Sequence, residues 1–259
     1  MSRFSDALAQ KDFLVTVELD PPRGVDLGAL KELGQALAGR VDALVVSDHR
    51  AASPRQSPWW AAHRLIEHGA EVVMTVNCRD RNRLALTGDM LAAASARVAN
   101  LLIVSGDHPI LGDHPAARGV YDLDSVQALQ LAAGLNQGHD LAGNELSDAP
   151  AFCLGSGVAM AARPLAPQIM KLQKKRQAGA SFLIGLPLKD LAELETFAAE
   201  ASGLEIRFLA GVEAADPSGR QAAAELCRAV RASGLAGGVH LSMPAAQSEL
   251  PALLDACGL

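Results

Sequence analysis

Short apolar runs and longer amphipathic stretches alternate along this chain through eight consecutive pairs. The apolar runs have the length of strands and lie at 13–19, 42–47, 71–77, 100–105, 151–158, 181–186, 205–211 and 238–243. The helical stretches lie near 26–39, 57–69, 84–98, 123–136, 164–179, 188–202, 217–233 and 246–256. Strict strand–helix alternation predicts a parallel sheet, and eight units favour its closure into a single (βα)8 TIM barrel. The alternative is an open, doubly wound sheet with two edge strands.

Composition bounds the class of protein. The chain has 259 residues, of which 49 % are apolar, so we expect a single barrel domain over residues 1–259. The net charge of −6 and the 3 % content of aromatic residues argue against nucleic acid as a partner. No apolar run approaches the roughly 20 residues that cross a bilayer, so no membrane partner is expected. The four cysteines form no CxxC pair, which favours reduced thiols and a cytoplasmic location.

The first strand carries an acidic residue on one of its two faces. Apolar and polar residues alternate from Val15 to Asp20, so Glu18 shares the polar face with Thr16 and Asp20. A carboxyl group that points inward near the end of a strand has a raised pKa, which suits it to donate a proton. The alternative is a structural carboxylate that pairs with an arginine or caps a loop.

The fourth strand ends in a glycine and an acidic residue. Gly106 allows the backbone to approach a ligand closely, and Asp107 projects from the carboxyl end of the strand. Asp107 either accepts a hydrogen bond from a ligand ring or bonds its own turn backbone. His108 and His114 lie in the same loop, but their spacing fits no common metal site, so we expect no metal. This loop, 106–122, should lie on the catalytic face of a barrel, and the connection 137–150 on the opposite face.

Two basic clusters have a functional and a structural interpretation each. Arg79, Arg81 and Arg83 follow the third strand, where they either bind phosphate or pair with neighbouring acids. The segment 171–176 carries four cations on a helix, which form either a solvated face or a phosphate site. The chain has no glycine-rich fingerprint after a strand, so a flavin or a nicotinamide would not be held by a Rossmann domain.

Several segments, taken in order, resemble the methylenetetrahydrofolate reductase family. They are VELDPPRG at 17–24, NCRDRN at 77–82, SGDHP at 105–109, GVYDLDS at 119–125, LQKK at 172–175 with AGA at 178–180, and GVHL at 238–241. The resemblance extends from about residue 13 to residue 256 and is greatest to the branch that is fused to homocysteine methyltransferases in some bacteria.

This resemblance implies an oxidoreductase that binds FAD across the carboxyl ends of the barrel strands. NAD(P)H or a partner protein would supply electrons, and 5,10-methylene-tetrahydrofolate would be reduced to 5-methyl-tetrahydrofolate. Glu18 would be the proton donor, and Asp107 would contact both the flavin ring and the folate. The remaining cofactor positions that the resemblance implies are Ser47, Asp48, Thr75, Ser105, Gly106, Tyr121, Lys174 and Lys175. We expect a homo-oligomer or a subunit of a complex.

Some positions differ from the family pattern. Leu186 occupies the place of a folate-binding glutamine, and Ala159-Met160-Ala161 replaces an Asn-Pro-Asn segment. Glu213 or Ala214 stands where the family commonly has proline, and Thr75 stands where it often has histidine. Leucine cannot pair with the polar edge of a pterin, which would cost roughly 1–3 kcal/mol. The alternatives are therefore an FAD- or folate-binding subunit of a redox or methyl-transfer complex, and a non-catalytic relative.

Overall fold

The computed structural model describes residues 2–259, which form eight strands and nine α-helices. The strands are β1 (Leu14–Leu19), β2 (Ala43–Val46), β3 (Val72–Asn77), β4 (Asn100–Val104), β5 (Cys153–Val158), β6 (Phe182–Pro187), β7 (Arg207–Glu213) and β8 (Gly238–Ser242). The helices are α1 (Arg3–Gln10), α2 (Gly28–Leu37), α3 (Pro58–Glu67), α4 (Arg83–Ser95), α5 (Ser125–Asn136), α6 (Ala166–Gln177), α7 (Leu191–Glu200), α8 (Arg220–Ser233) and α9 (Leu250–Cys257).

The strands close into a barrel in chain order. Every neighbouring pair is parallel, and β1 pairs with both β2 and β8. The predicted (βα)8 TIM barrel is therefore confirmed, and the open sheet with two edge strands is excluded. Because all strands run the same way, their carboxyl ends and the following loops meet on one face. The loop between β4 and α5 lies on this face, and the loop between α5 and β5 lies on the other, as predicted.

Period-2 alternation assigns the side chains of β1 to two environments. Val15, Val17 and Leu19 pack outward in the large apolar layer between strands and helices. Thr16 and Glu18 point into the barrel. A second, smaller apolar cluster fills the lower interior of the barrel, and its buried members are Phe4, Ala43, Val45, Val73, Leu102, Phe182 and Ile184.

Helix α1 closes the amino-terminal end of the barrel, a feature that the periodicity did not predict. Phe4 is fully buried and its ring meets that of Phe182 edge to face, with centroids 5.1 Å apart. The Phe4 amide donates to Glu71 Oε1 at 3.2 Å, and the Arg207 guanidinium donates to the carbonyl of Leu8 at 2.8 Å. Helix α1 thus forms a plug at the amino-terminal end, and the interior of the barrel opens toward the carboxyl ends of the strands.

Polar residues at the ends of the strand–helix loops begin three of the helices. Asn82, Asp124 and Asp190 each accept a backbone hydrogen bond from the first turn of α4, α5 and α7. Within the described residues 2–259, no helix is both long and apolar enough to cross a membrane.

Candidate active site at the carboxyl ends of the strands

A cavity of about 360 Å³ opens at the carboxyl ends of the strands. Its volume falls within the range of small-molecule sites, about 300–1,000 Å³. The predicted site residues that line it are Glu18, Ser47, Asp48, Thr75, Ser105, Gly106, Asp107 and Lys175. A larger groove of about 780 Å³ lies between α7 and α8, but it is a shallow surface with Glu195 as its one titratable lining residue. The titratable and polar residues that could act on a ligand therefore lie in the cavity at the carboxyl ends of the strands.

Glu18 lies in the wall of this cavity with 19 % of its side chain exposed. Burial raises its pKa from 4.5 to about 7, although Arg50 opposes the shift; Asp20, Glu213 and Asp107 reinforce it. A carboxyl group with this pKa keeps a proton for a substantial part of the time near neutral pH. Glu18 can therefore act as an acid in the cavity.

Arg50 and Glu213 complete the surroundings of Glu18, and neither was predicted as a site residue. Arg50 Nη1 lies 2.9 Å from Glu18 Oε2, and Nη2 contacts Glu213 Oε2. Glu213 Oε2 also accepts from Ser242 Oγ at 3.0 Å. The chain offers no local signal for this cluster, because its members come from four different segments of the sequence.

His240 forms part of the cavity floor. Its Nδ1 lies 3.0 Å from Thr16 Oγ1, and burial, with a smaller contribution from Arg50, lowers its pKa from 6.5 to about 3. His240 is therefore neutral at physiological pH and cannot serve as a cation for a bound anion. His240 is a further functional candidate, and it was not predicted as a site residue.

Ser47 and Asp48 directly follow β2, and both side chains already have partners within the protein. Ser47 Oγ donates to Asp20 Oδ1 at 2.5 Å. Asp48 Oδ2 accepts from the Asn77 amide at 2.8 Å and contacts the Arg81 guanidinium. Asp48 Oδ1 is buried and has no hydrogen-bond partner.

Thr75 and the turn after β4 form the opposite wall. Thr75 is buried in the lining of the cavity, and its Oγ1 has no hydrogen-bond partner. Gly106 has φ +82°, and a Cβ there would lie 3.0 Å from Arg79 Cβ. The carbonyl of Asp107 accepts from Arg79 Nη1 at 3.1 Å, while its carboxylate side chain lies at the exposed rim. Gly106 thus combines a left-handed turn with a close backbone approach.

The two predicted lysines have different environments. Lys175 is 6 % exposed and donates from Nζ to the carbonyl of Gly157 at 2.6 Å. Burial and then Lys171 lower its pKa from 10.5 to about 8. Lys174 is exposed and outside the cavity lining, whereas Lys171 belongs to that lining. The structure therefore brings Lys171, rather than the predicted Lys174, beside Lys175.

Arg79 belongs to the lining of the cavity, whereas Arg81, Arg83 and Tyr121 lie around it. Tyr121 is 39 % exposed, lies outside the lining, and donates from its hydroxyl to the carbonyl of Asp107 at 3.4 Å. Arg79, Arg81 and Arg83 pair with acids, which are Asp80 for Arg79, Asp48 and Asp89 for Arg81, and Asp122 for Arg83. The structural interpretation of this cluster accounts for its contacts.

Comparison with known proteins gives a family and a fold. A family model described as methylenetetrahydrofolate reductase matches residues 3–217. No curated protein matches. Among solved structures, 2,3-dimethylmalate lyase, a PEP mutase/isocitrate lyase superfamily member, is 14 % identical with a TM-score of 0.61, covering 100 % of this chain and 89 % of that one.

Two further solved structures resemble this chain to a similar degree. A putative lyase/mutase from Burkholderia cenocepacia J2315 is 17 % identical with a TM-score of 0.56, covering 98 % of this chain and 84 % of that one. Tryptophan synthase from M. tuberculosis is 13 % identical with a TM-score of 0.61, covering 99 % and 98 %. At these identities the likeness is one of barrel fold alone.

Proposed function

This chain belongs to the methylenetetrahydrofolate reductase family, and from that premise we propose that it reduces 5,10-methylene-tetrahydrofolate to 5-methyl-tetrahydrofolate. Glu18 is the proton donor that assists opening of the folate ring, and Asp107 contacts the ligands at the rim. The observation that carries the proposal is the position of Glu18 in a cavity at the strand ends, with its pKa raised to about 7. A general acid works best when its pKa is near the working pH.

The donor set of the cavity fits FAD. Thr75 Oγ1 and Asp48 Oδ1 are buried polar atoms without partners, and a flavin ring offers both acceptors and an N–H donor for them. Lys171 and Lys175 line the cavity and would bring two cations to a bound pyrophosphate. Bound FAD would supply the hydride that the folate carbon accepts.

The residues of this chain have separate tasks in that scheme. Glu18 holds a proton in a partly desolvated position and releases it toward the substrate. Lys175, fixed by the carbonyl of Gly157, places a positive charge that needs no rearrangement on binding. The plug formed by α1 keeps the lower interior filled, so that ligands enter from the carboxyl ends of the strands.

The first experiment is a titration of the purified protein with FAD, followed by anaerobic reduction. We expect the absorption and fluorescence of FAD to change on binding, and NADH or NADPH to bleach the bound flavin. Addition of 5,10-methylene-tetrahydrofolate should restore the oxidised spectrum with formation of 5-methyl-tetrahydrofolate. A protein that takes up no FAD at concentrations well above the micromolar range contradicts the proposal.

Glu18→Gln tests the proton donor separately. The substitution keeps the shape of the side chain but removes the acid, so reduction of the folate should fall by about 10²-fold or more. FAD binding and flavin reduction by NAD(P)H should stay near the wild-type values, because neither step requires that proton. Near-normal folate turnover in the variant would remove Glu18 from this role.

A second candidate is an FAD-binding subunit that receives electrons from a partner protein. Apolar side chains on the catalytic face favour it, since Val25, Ile110, Leu111 and Leu186 are 96 %, 66 %, 73 % and 59 % exposed. Leu186 also lines the cavity at the position where the resemblance implies a glutamine. A protein that binds FAD but is not reduced by NADH or NADPH would support this candidate over the first.

A further inference from the structure

Arg50 joins two carboxylates that lie on opposite sides of β8. Its Nη1 lies 2.9 Å from Glu18 Oε2 on β1, and its Nη2 contacts Glu213 Oε2 at the end of β7. Ser242 at the end of β8 donates to the same oxygen of Glu213 at 3.0 Å. One guanidinium therefore forms ion pairs with both carboxylates, and the strength of each pair depends on the presence of the other.

The backbone around Arg50 is fixed in an unusual conformation. His49, Ala51 and Ala52 have φ values of 49°, 52° and 53°, a region that costs a non-glycine residue about 1–2 kcal/mol. The loop after β4 packs directly on this turn, because a Cβ at Gly112 would lie 2.3 Å from the carbonyl oxygen of Ala52. The surrounding structure thus holds Arg50 in place at a conformational cost.

Four charged residues act on Glu18. Arg50 is the cation that contacts it, and Glu213, Asp20 and Asp107 are the acids that act on it. Asp20 has its own partners, Ser47 Oγ at 2.5 Å and Arg55 Nη2 at 3.3 Å. His240 faces the same space but is neutral at physiological pH. Among these acids, Glu213 also contacts Arg50, so it competes with Glu18 for the same guanidinium.

We propose that Arg50 and Glu213 are positioning residues that together orient Glu18 and control how readily it releases its proton. When the O–H bond of Glu18 breaks, the proton goes to the substrate nitrogen and the electron pair stays on the carboxylate, which Arg50 then stabilises. Glu213 competes for Arg50 and so favours the protonated form of Glu18. This proposal deepens the proposed function. Only the identity of the proton acceptor depends on that function being correct.

The test is a titration of Glu18 that does not depend on turnover. Protein labelled with ¹³C at the glutamate carboxyl carbons is titrated by NMR between about pH 4 and pH 9, without FAD, and the Glu18 signal is assigned by its loss in Glu18→Gln. Glu213→Gln should lower the Glu18 midpoint by about one pH unit, because Arg50 then serves Glu18 alone. Arg50→Gln should raise the midpoint by a similar amount.

Two further variants make the result specific. Arg50→Lys keeps the charge and should leave the midpoint closer to the wild-type value than Arg50→Gln does. Glu205→Gln is the matched control, since Glu205 pairs with Arg176 at 2.7 Å at the opposite end of the barrel, and it should leave the Glu18 midpoint unchanged. Circular dichroism checks that each variant is folded.

The outcomes separate the two proposals. Shifts of opposite sign for Glu213→Gln and Arg50→Gln support the positioning role, even if the wild-type protein reduces no folate. Shifts of the same sign, or a midpoint that neither substitution moves, overturn it, even if folate is reduced. If Arg50→Gln does not fold, Glu213→Gln decides by itself: a lowered Glu18 midpoint supports the positioning role, and an unchanged or raised midpoint overturns it. In an active enzyme, the alkaline limb of kcat/KM should move in the same direction as the NMR midpoint.

Discussion

Replacement of Lys175 by methionine should stabilise the folded protein near neutral pH and destabilise it at strongly alkaline pH. Lys175 is 6 % exposed, and burial, followed by the charge of Lys171, lowers its pKa from 10.5 to about 8; Asp124 and Cys78 oppose the shift. The folded state therefore disfavours the ammonium form that the unfolded chain readily takes up. Methionine has a comparable apolar stem and no charge, so the variant is free of this cost.

The magnitude follows from the two pKa values. At about 1.4 kcal/mol for each unit of pKa, the change from 10.5 to about 8 makes the buried ammonium cost about 3 kcal/mol. The cost is present in full below pH 8 and disappears as pH rises to 10.5, because the group is then neutral in both states. The bond from Nζ to the Gly157 carbonyl is lost at every pH, at about 1 kcal/mol. Lys175→Met should thus be about 2 kcal/mol more stable at pH 7 and about 1 kcal/mol less stable above pH 10.5.

Urea denaturation of the flavin-free proteins at several pH values measures this difference. Lys174→Met is the matched control, since Lys174 is exposed on the same helix and its replacement should change the unfolding free energy little at any pH. FAD titration of the same samples should show weaker binding for Lys175→Met than for Lys174→Met. If Lys175→Met destabilises the protein equally at pH 7 and above pH 10.5, Lys175 is not a desolvated cation, and the reasoning fails.

Two further predictions concern the wall of the cavity. Thr75→Val should stabilise the flavin-free protein by about 1 kcal/mol, because the buried hydroxyl has no partner, and should weaken FAD binding; Thr16→Val, whose hydroxyl meets His240, should destabilise by about 1–3 kcal/mol. Equal stability changes in urea denaturation for the two valine variants would contradict this. Gly106→Ala should destabilise by more than Gly39→Ala, which has a similar φ of +80° but no atom within 4 Å of the added Cβ. The same assay compares them, and equal losses would mean that the contact with Arg79 costs nothing.

The strand positions were predictable because alternation and apolar runs are local properties of the chain. The ends of the strands were less predictable, because pairing with neighbouring strands, not the local pattern, decides where a strand stops. The seventh strand was predicted at 205–211 but extends over Arg207–Glu213. Glu213 is therefore the last residue of a strand that faces the cavity region, not part of the following loop.

Helix α1 was missed because its burial depends on the closed barrel. Phe4 is its one buried residue, and nothing in a short polar segment indicates that a phenylalanine will fill the end of a barrel. Similarly, Lys174 and Lys175 look equivalent in sequence. Packing of α6 against β5 exposes Lys174 and buries Lys175, which bonds the carbonyl of Gly157.

The sequence by itself determined the number and order of the strands, the family, and the face of β1 that carries Glu18. These features follow from periodicity and from short motifs, which need no knowledge of distant residues. Only the tertiary structure decided that Arg50 meets Glu213, a contact between residues 163 positions apart. It exists because the barrel closes and places β7, β8 and β1 side by side. The pKa of Glu18 belongs to the same category, since it sums burial and charges that closure of the barrel brings together.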